Sequence, residues 1–115
     1  MSVELYGIPN CDTVKKARAW LHGRGIEYVF HDYKKEGADP LKLSAWSDKV
    51  GWETLLNRRG TTFRGLSDAD KANIDRPNAI RLMQDNPSLI KRPVVEHSGG
   101  LLAGFDSAEW DAAFT

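Results

Sequence analysis

The stretch LYGIPNCDTVKKARAWL, residues 5–21, decides the fold and contains the only cysteine of the 115-residue chain. Apolar and polar side chains alternate from residue 2 to residue 6, and this period of two predicts a strand. After the cysteine the period changes to that of a helix, with Val14 and Leu21 on one apolar face. Cys11 is therefore predicted to follow a Pro-Asn turn and to begin the first helix.

The composition is that of a globular protein without a dominant charge. Hydrophobic residues make up 41% of the chain and charged residues 28%, and sixteen basic residues balance sixteen acidic ones. A neutral balance gives no basic surface for nucleic acid or for an anionic membrane. No apolar run reaches the roughly 20 residues that span a bilayer, and the first residues lack the pattern of a signal peptide. We therefore expect a cytoplasmic monomer, one domain over residues 1–115, that contacts neither nucleic acid nor membrane.

A second alternating segment, IEYVFHDY (residues 26–33), follows the helix and predicts a second strand. Gly23 and Gly25 separate the two segments and are typical of a helix end. A strand, a helix of about a dozen residues and another strand form a βαβ unit. The first two strands are therefore expected to be parallel.

The remaining segments complete the order of elements. Helices are predicted in the middle of the chain, the first with an apolar stripe that begins at Leu41. KRPVVEHSGGLLAGF (91–105) predicts a hairpin, and DSAEWDAAF (106–114) predicts a helix capped by Asp106. The order indicates an α/β protein with a thioredoxin-like, four-stranded mixed sheet and a helical insert at about residues 40–90.

The predicted position of Cys11 at the start of a helix favours a reactive thiol. The first N–H groups of a helix lack intrahelical partners, and the helix dipole adds partial positive charge at the same end. Both favour the thiolate, so the pKa of Cys11 is predicted to be lowered, with help from Lys15 and opposition from Asp12. The alternative is a buried apolar filler, for which burial would raise the pKa.

A second group of site residues is expected at KRPVV, residues 91–95. A proline that opens a strand in this fold is commonly cis and lies opposite the reactive cysteine, so we predict a cis Arg92–Pro93 bond. Arg92 is expected to present its planar, permanently charged guanidinium to an anion near Cys11. Free N–H groups near Asp106, where the last helix begins, are expected to bind the end of a peptide such as glutathione.

Four segments together resemble the ArsC/Spx group of thioredoxin-like proteins, which includes arsenate reductases, and within it the small YffB-like branch. They are YGIPNCDTVKKA (6–17), IEYVFHDYKK (26–35), LLNRRGTTFR (55–64) and LIKRPVV (89–95). They follow one another in the family's order and are spread along the chain from residue 6 to residue 95. The resemblance implies a thioredoxin-like domain with an all-helical insert and a nucleophilic cysteine at position 11.

Departures from the family's pattern bear on the function. Arsenate reductases of this group hold the oxyanion with three arginines, and Arg92 matches one of them. Asn57 stands where the second is expected, with Arg58 next to it, and LLAGFD (101–106) offers no arginine for the third. Spx regulators, which bind RNA polymerase, typically carry a C-x-x-C motif. Here Val14 takes the place of its second cysteine, so an internal disulfide is excluded.

A single thiolate can attack a disulfide and become linked to one half of it, but an external thiol must then release it. We therefore predict a glutathione-dependent monothiol thiol–disulfide reductase that binds no cofactor and uses glutathione as co-substrate. Cys11 is the predicted nucleophile. The expected contacts of substrate or glutathione are Asn10, Asp12, Lys15, Arg58, Arg92, Pro93 and Asp106. The three histidines have no metal-ligand spacing, so no metal site is expected.

Two other functions remain open. One is the reduction of arsenate or another oxyanion, with Arg58 in place of a missing donor. The other is a non-catalytic protein-binding module of the Spx type. Rapid alkylation of Cys11 well below the ordinary thiol pKa would favour either enzyme over the module. A glutathione titration followed by arsenate competition would separate the two enzymes.

Overall fold

The computed structural model describes residues 3–114, which belong to two compact units. The first, called the sheet unit, combines the described residues of Met1–Glu36 and Arg92–Thr115. The second, called the helical unit, is Gly37–Lys91. Over the described residues, no helix combines the length and the apolar character that crossing a membrane requires.

The first half of the sheet unit is a parallel βαβ arrangement, as the sequence predicts. Its elements are β1 (Val3–Gly7), α1 (Asp12–Gly23) and β2 (Tyr28–Asp32). The two strands pair along their full length, so that the last residue of β1 lies level with the last residue of β2. Both strands therefore end at the same edge of the sheet.

The strand β2 is shorter than the predicted strand, because the last residue of the predicted strand begins a short helix instead. The carboxylate of Asp32 accepts the N–H of Lys34 at 2.9 Å, and the carboxylate of Glu36 accepts the N–H of Asp32 at 3.2 Å. These bonds turn the chain into α2 (Tyr33–Glu36). Tyr33, predicted as the last residue of the strand, is therefore the first residue of a helix.

Short helices make up the helical unit. They are α3 (Pro40–Val50), α4 (Trp52–Leu55), α5 (Thr61–Arg64), α6 (Asp68–Lys71), α7 (Arg76–Asp85) and the 3-10 turn Pro87–Leu89. Aspartates cap the two longest: Asp39 accepts the N–H of Leu41, and Asp75 accepts that of Asn78.

The apolar stripe of α3 does not include Leu41, contrary to the sequence prediction. Leu41 is 79% exposed, whereas Leu43 and Trp46 are buried. Residues two apart lie on opposite sides of a helix, so Leu41 and Leu43 cannot share one buried face. The pairing of Leu43 with Trp46, three residues on, decides which side is buried.

The second half of the sheet unit is an antiparallel hairpin followed by a helix, again as predicted. β3 (Val94–His97) pairs with β4 (Gly100–Ala103) and with β1, which gives the strand order β2-β1-β3-β4. α8 (Ser107–Ala113) then ends the described chain. The four-stranded mixed sheet and the thioredoxin-like fold predicted from the sequence are confirmed.

An apolar core joins α1 and α8 to one face of the sheet. Alternate residues of β1, Val3 and Leu5, face this core together with buried residues of α1. Trp110 of α8 is completely buried, and its ring N–H donates to the C=O of Gly104 at 3.1 Å. The largest side chain of the core is therefore held in place without leaving its polar atom unpaired.

Candidate active site

One edge of the sheet brings the predicted reactive residues together. β1 and β2 end there, and β3 begins there, since its first residue lies opposite Tyr6. Cys11 follows β1 after a short turn, Tyr33 follows β2 directly, and Arg92 and Pro93 precede β3. All of these residues belong to the sheet unit.

Cys11 is the N-cap residue of α1, as the sequence predicts. Its backbone is extended, with φ −126° and ψ 126°, and its C=O accepts the N–H of Lys15 at 2.9 Å. The side chain packs partly against the apolar core and is otherwise exposed. It is therefore accessible to a reagent and is not the enclosed filler of the alternative interpretation.

The surroundings of the sulfur lower the pKa of the Cys11 thiol below its ordinary value. Partial burial is the largest single influence and raises the pKa, but the groups that favour the anion outweigh it. These groups are the backbone N–H of Val14, the guanidinium of Arg92, which donates to the sulfur and also acts by its charge, and the backbone N–H of Thr13. The Cys11 side chain makes no regular capping hydrogen bond, and the two amides favour the anion as part of the positive end of the helix.

The segment that holds Arg92 is fixed to the end of the sheet. The Arg92–Pro93 peptide bond is cis, as predicted. Pro93 is buried, and its C=O accepts the N–H of Gly104 at 2.7 Å. Arg92 itself is only partly buried, so its guanidinium can contact both the sulfur and a solute that approaches it.

Asn10, Asp12 and Lys15, which are close to Cys11 in the sequence, are all exposed. Their contacts with a substrate stay predictions. The charge that lowers the pKa of Cys11 is that of Arg92, and neither Lys15 nor Asp12 is among the groups that shift it. Both side chains are surrounded by water, which screens their charges.

Asp106 caps α8, as predicted, because its carboxylate accepts the N–H of Glu109 at 3.1 Å. One of the amides expected to receive glutathione is therefore already paired. The negative charge of Asp106 also opposes a carboxylate of the peptide. Binding of glutathione at Asp106 stays a prediction.

Arg58 belongs to the helical unit and is exposed. Its guanidinium carbon lies 5.5 Å from the centre of the Trp52 ring, within the range of a cation–π contact. Beside it, the side chain of Asn57 accepts the N–H of Arg59 at 3.1 Å and so closes an Asx turn. The role of Arg58 as a substitute oxyanion donor stays a prediction.

Tyr33 is a residue of this edge that the sequence interpretation missed. Tyr33 is 3% exposed, and its ring stacks on that of Tyr6 with the centroids 6.4 Å apart. Burial raises the pKa of the Tyr33 phenol far above its ordinary value. Tyr6 and Glu96 add to this rise, Arg92 opposes it, and the phenol stays neutral. The available signal was an aromatic residue at the end of the second predicted parallel strand, on the side of the sheet where ligands of such sheets bind.

Histidine side chains take part in local contacts. Nδ1 of His31 lies 3.0 Å from a carboxylate oxygen of Glu36, and Nε2 lies 3.5 Å from one of Glu4. Nδ1 of His97 accepts the N–H of Gly99 at 3.1 Å. Between residues 3 and 114, no cluster of His, Cys, Asp and Glu is arranged to hold a metal ion.

Known proteins resemble the chain over nearly its whole length. A solved structure of a YffB protein is 50% identical to it with a TM-score of 0.96, covering 99% of this chain and 100% of its own. An arsenate reductase (ArsC) related protein from Brucella melitensis is 53% identical with a TM-score of 0.78, covering 100% of this chain and 96% of its own.

A relative with a different kind of name is the global transcriptional regulator Spx 1 of Lactococcus lactis. It is 28% identical over 109 residues, which are 93% of this chain and 84% of the regulator. The relatives thus include one named after a redox enzyme and one named after a regulator. The sequence pattern of the ArsC family matches residues 6–113, from β1 to the last turn of α8. The chain therefore belongs to the ArsC family.

Proposed function

We propose that this protein is a glutathione-dependent monothiol thiol–disulfide reductase with Cys11 as the nucleophile. The observation that carries the proposal is the setting of the thiol: it caps a helix, it is partly exposed, and its pKa is lowered by two amides and Arg92. Membership of the ArsC family supports redox chemistry in general. The need for glutathione is inferred from the sequence, which contains no second cysteine to release a mixed disulfide.

The proposed reaction has two exchange steps. First, the Cys11 thiolate attacks the glutathione sulfur of a mixed disulfide RS–SG, so that the S–S bond breaks, RS⁻ leaves and takes a proton from solvent, and Cys11 carries glutathione. Second, a glutathione thiolate attacks the glutathione sulfur of this adduct and releases the Cys11 thiolate. The net reaction converts RS–SG and reduced glutathione into RSH and oxidised glutathione.

Arg92 has two roles in this proposal. Its guanidinium stabilises the thiolate before attack, and its planar fork is suited to a carboxylate of the incoming glutathione. Pro93 fixes the backbone beside it, and the exposed Asn10 and Asp12 flank the adduct. Because glutathione is kept reduced in the cytoplasm, the proposal also implies a cytoplasmic protein. We propose in addition that it is a monomer without a bound cofactor.

Mass spectrometry after treatment with oxidised glutathione tests the proposal. We expect one glutathione adduct on Cys11, removed again by an excess of reduced glutathione. Cys11→Ser should gain no adduct and should not reduce a glutathione-linked peptide, because a serine hydroxyl is not ionised at neutral pH. Reductase activity that survives in a folded Cys11→Ser protein would refute the proposal.

Reduction of arsenate is a second candidate, favoured by the 53% identity with an arsenate reductase related protein. It would use Arg92 as one of its charged donors. The LLAGFD segment lacks the third arginine, and each missing charged donor costs about 1.5–3 kcal/mol of oxyanion binding. Turnover of arsenate to arsenite at Cys11 would favour this candidate. If neither glutathione nor arsenate perturbs Cys11, a binding module of the Spx type is favoured.

A further inference from the structure

Tyr33 has a buried hydroxyl that makes no hydrogen bond to any other described residue. The oxygen has no hydrogen-bond partner within residues 3–114, and the side chain is 3% exposed. Most buried polar groups in proteins are paired, because an unpaired one lowers the stability of the fold. A phenylalanine would fill the same space without this cost. Packing alone therefore does not explain the hydroxyl.

The other two tyrosines show how this fold pairs a phenol. The hydroxyl of Tyr6 donates to a carboxylate oxygen of Glu96 at 2.9 Å. The hydroxyl of Tyr28 accepts from Nε of Arg18 at 2.9 Å. Tyr33 differs from both, although its ring stacks directly on that of Tyr6.

Arg92 links the unpaired hydroxyl to the reactive sulfur. Its guanidinium donates to the Cys11 sulfur, and its positive charge also acts on the phenol of Tyr33. The three residues lie at the same edge of the sheet, where β1 and β2 end and β3 begins. A guanidinium has several N–H donors and no acceptor, whereas a phenol oxygen can accept.

The strength with which the Cys11 sulfur accepts a hydrogen bond changes during the proposed reaction. The Cys11 thiolate is a charged acceptor and binds the guanidinium strongly. Once it is joined to glutathione, the same sulfur is neutral and accepts only weakly. An N–H of Arg92 then loses its charged acceptor, at the same end of the sheet as the unpaired oxygen of Tyr33.

We propose that Tyr33 is a positioning residue whose hydroxyl accepts a hydrogen bond from Arg92 when Cys11 is joined to glutathione, and so stabilises the mixed disulfide. This inference rests on the proposed function, because it concerns the second state of the same sulfur. Tyr33 takes up and releases no proton or electron. The Cys11 thiolate reacts with oxidised glutathione to give the adduct and a glutathione thiolate. This exchange is balanced in atoms and charge without Tyr33.

The equilibrium constant of adduct formation, measured in glutathione redox buffers, tests the inference. Tyr33→Phe should lower this constant roughly fivefold, which corresponds to one hydrogen bond. The pH profile of Cys11 alkylation should stay unchanged, and the midpoint of unfolding should be equal or higher. Tyr28→Phe is the matched control, because it removes a hydroxyl that is bonded to Arg18. An unchanged constant in Tyr33→Phe, or an equal fall in Tyr28→Phe, would overturn the inference.

Carbon-13 labelling of tyrosine Cζ gives a second measurement that leaves position 33 intact. The three tyrosines give three signals, which Tyr6→Phe and Tyr28→Phe assign. Formation of the adduct on the wild-type protein should shift the signal of Tyr33 and leave that of Tyr28 in place. An adduct with an unmoved Tyr33 signal refutes the inference alone. Failure of the wild-type protein to form an adduct refutes the proposed function, and the inference with it.

Discussion

The two units use their cationic side chains differently. In the sheet unit, Arg92 acts on the sulfur of Cys11 and lowers its pKa. In the helical unit, Arg64 donates to the C=O of Arg59 at 3.2 Å, and Lys71 donates to the C=O of Arg64 at 2.8 Å. The first arrangement activates a nucleophile, and the second holds a loop together.

The difference follows from how each unit pairs its backbone. Strands pair through their own N–H and C=O groups, so side chains at the end of a sheet remain available for chemistry. The helices α4, α5 and α6 have four residues each, and helix ends leave N–H and C=O groups unpaired. Nearby side chains must then satisfy those groups. A cluster of arginines in the sequence is therefore weak evidence for an anion site when it belongs to such short helices.

The largest expected effect on activity is the difference between Cys11→Ser in the sheet unit and Arg58→Ala in the helical unit. Cys11→Ser should reduce disulfide exchange to the background rate, since the nucleophile is lost. Arg58→Ala should lower kcat/KM for a glutathione-linked peptide far less, because Arg58 is not among the groups that shift the pKa of Cys11. A loss of activity in Arg58→Ala comparable to that in Cys11→Ser would mean that an arginine of the helical unit is also needed for the reaction, and would favour the oxyanion reductase.

The next largest effect is expected from Arg92→Gln. Without the guanidinium the thiolate is less stable, so the pKa of Cys11 should rise and the alkylation profile should move to higher pH. Exchange at neutral pH should slow by about tenfold to a hundredfold, as expected for a hydrogen bond to a charged group worth about 1.5–3 kcal/mol. Arg92→Lys keeps the charge without the fork and should retain part of the rate.

The lowered pKa of Cys11 in the wild-type protein also predicts how the free energy of unfolding depends on pH. The pKa of Cys11 is lower in the folded protein than in the unfolded chain, so the unfolded chain binds more protons at this sulfur between the two values. Stability should rise with pH across that window and fall as pH drops through the folded value. Arg92→Gln should flatten this rise. An unchanged alkylation profile would mean that the amides of α1 alone hold the thiolate.

The sequence predicts those parts of the site that are local in the chain. The change of period after β1 marks Cys11 as the first residue of a helix, and the proline that opens β3 marks Arg92. The group that provides charge was harder to predict. Lys15 is near in sequence but exposed, whereas Arg92 reaches the sulfur only because β1 and β3 pair. Pairing between distant segments decides which cation stabilises the Cys11 thiolate, and periodicity does not reveal that pairing.

The unpaired hydroxyl of Tyr33 could not be predicted for the same reason, although its place at the end of the second strand could. An aromatic residue at the end of an alternating segment predicts one more strand residue, and the turn at Asp32 overrides that pattern. The burial of Tyr33 depends on its packing with Tyr6 of a different strand. Its unpaired oxygen is a property of the assembled sheet unit, so no local pattern in the sequence could indicate it.

A smaller effect is expected from Gly7→Ala, which tests how closely α1 is set against the sheet. A methyl group at Gly7 would lie 2.9 Å from Cγ2 of Val14, too close for an ordinary contact. We expect a loss of about 1–3 kcal/mol in the free energy of unfolding, measured with urea. The N–H of Val14 favours the Cys11 thiolate, so the alkylation profile should also move to higher pH.

Gly23→Ala is the matched control for this prediction. Gly23 ends the same helix, and a methyl group there meets nothing within 4 Å. Replacing a helical glycine by alanine should leave stability equal or increase it by up to about 1 kcal/mol, without affecting alkylation. If Gly7→Ala behaves like Gly23→Ala, the close contact between Gly7 and Val14 does not set the position of the helix.

The smallest effect is expected at Asp106, where capping and ligand binding make different predictions. Loss of the cap in Asp106→Ala should cost about 0.5–2 kcal/mol of stability, whereas Asp106→Asn should keep most of it, because asparagine also caps helices well. If the carboxylate only caps α8, the KM for glutathione stays unchanged in the asparagine variant. If the carboxylate binds an amino group of glutathione, the KM for glutathione rises in the asparagine variant, because the negative charge is lost. The stability of that variant should then be nearly unchanged, because the helix keeps its cap.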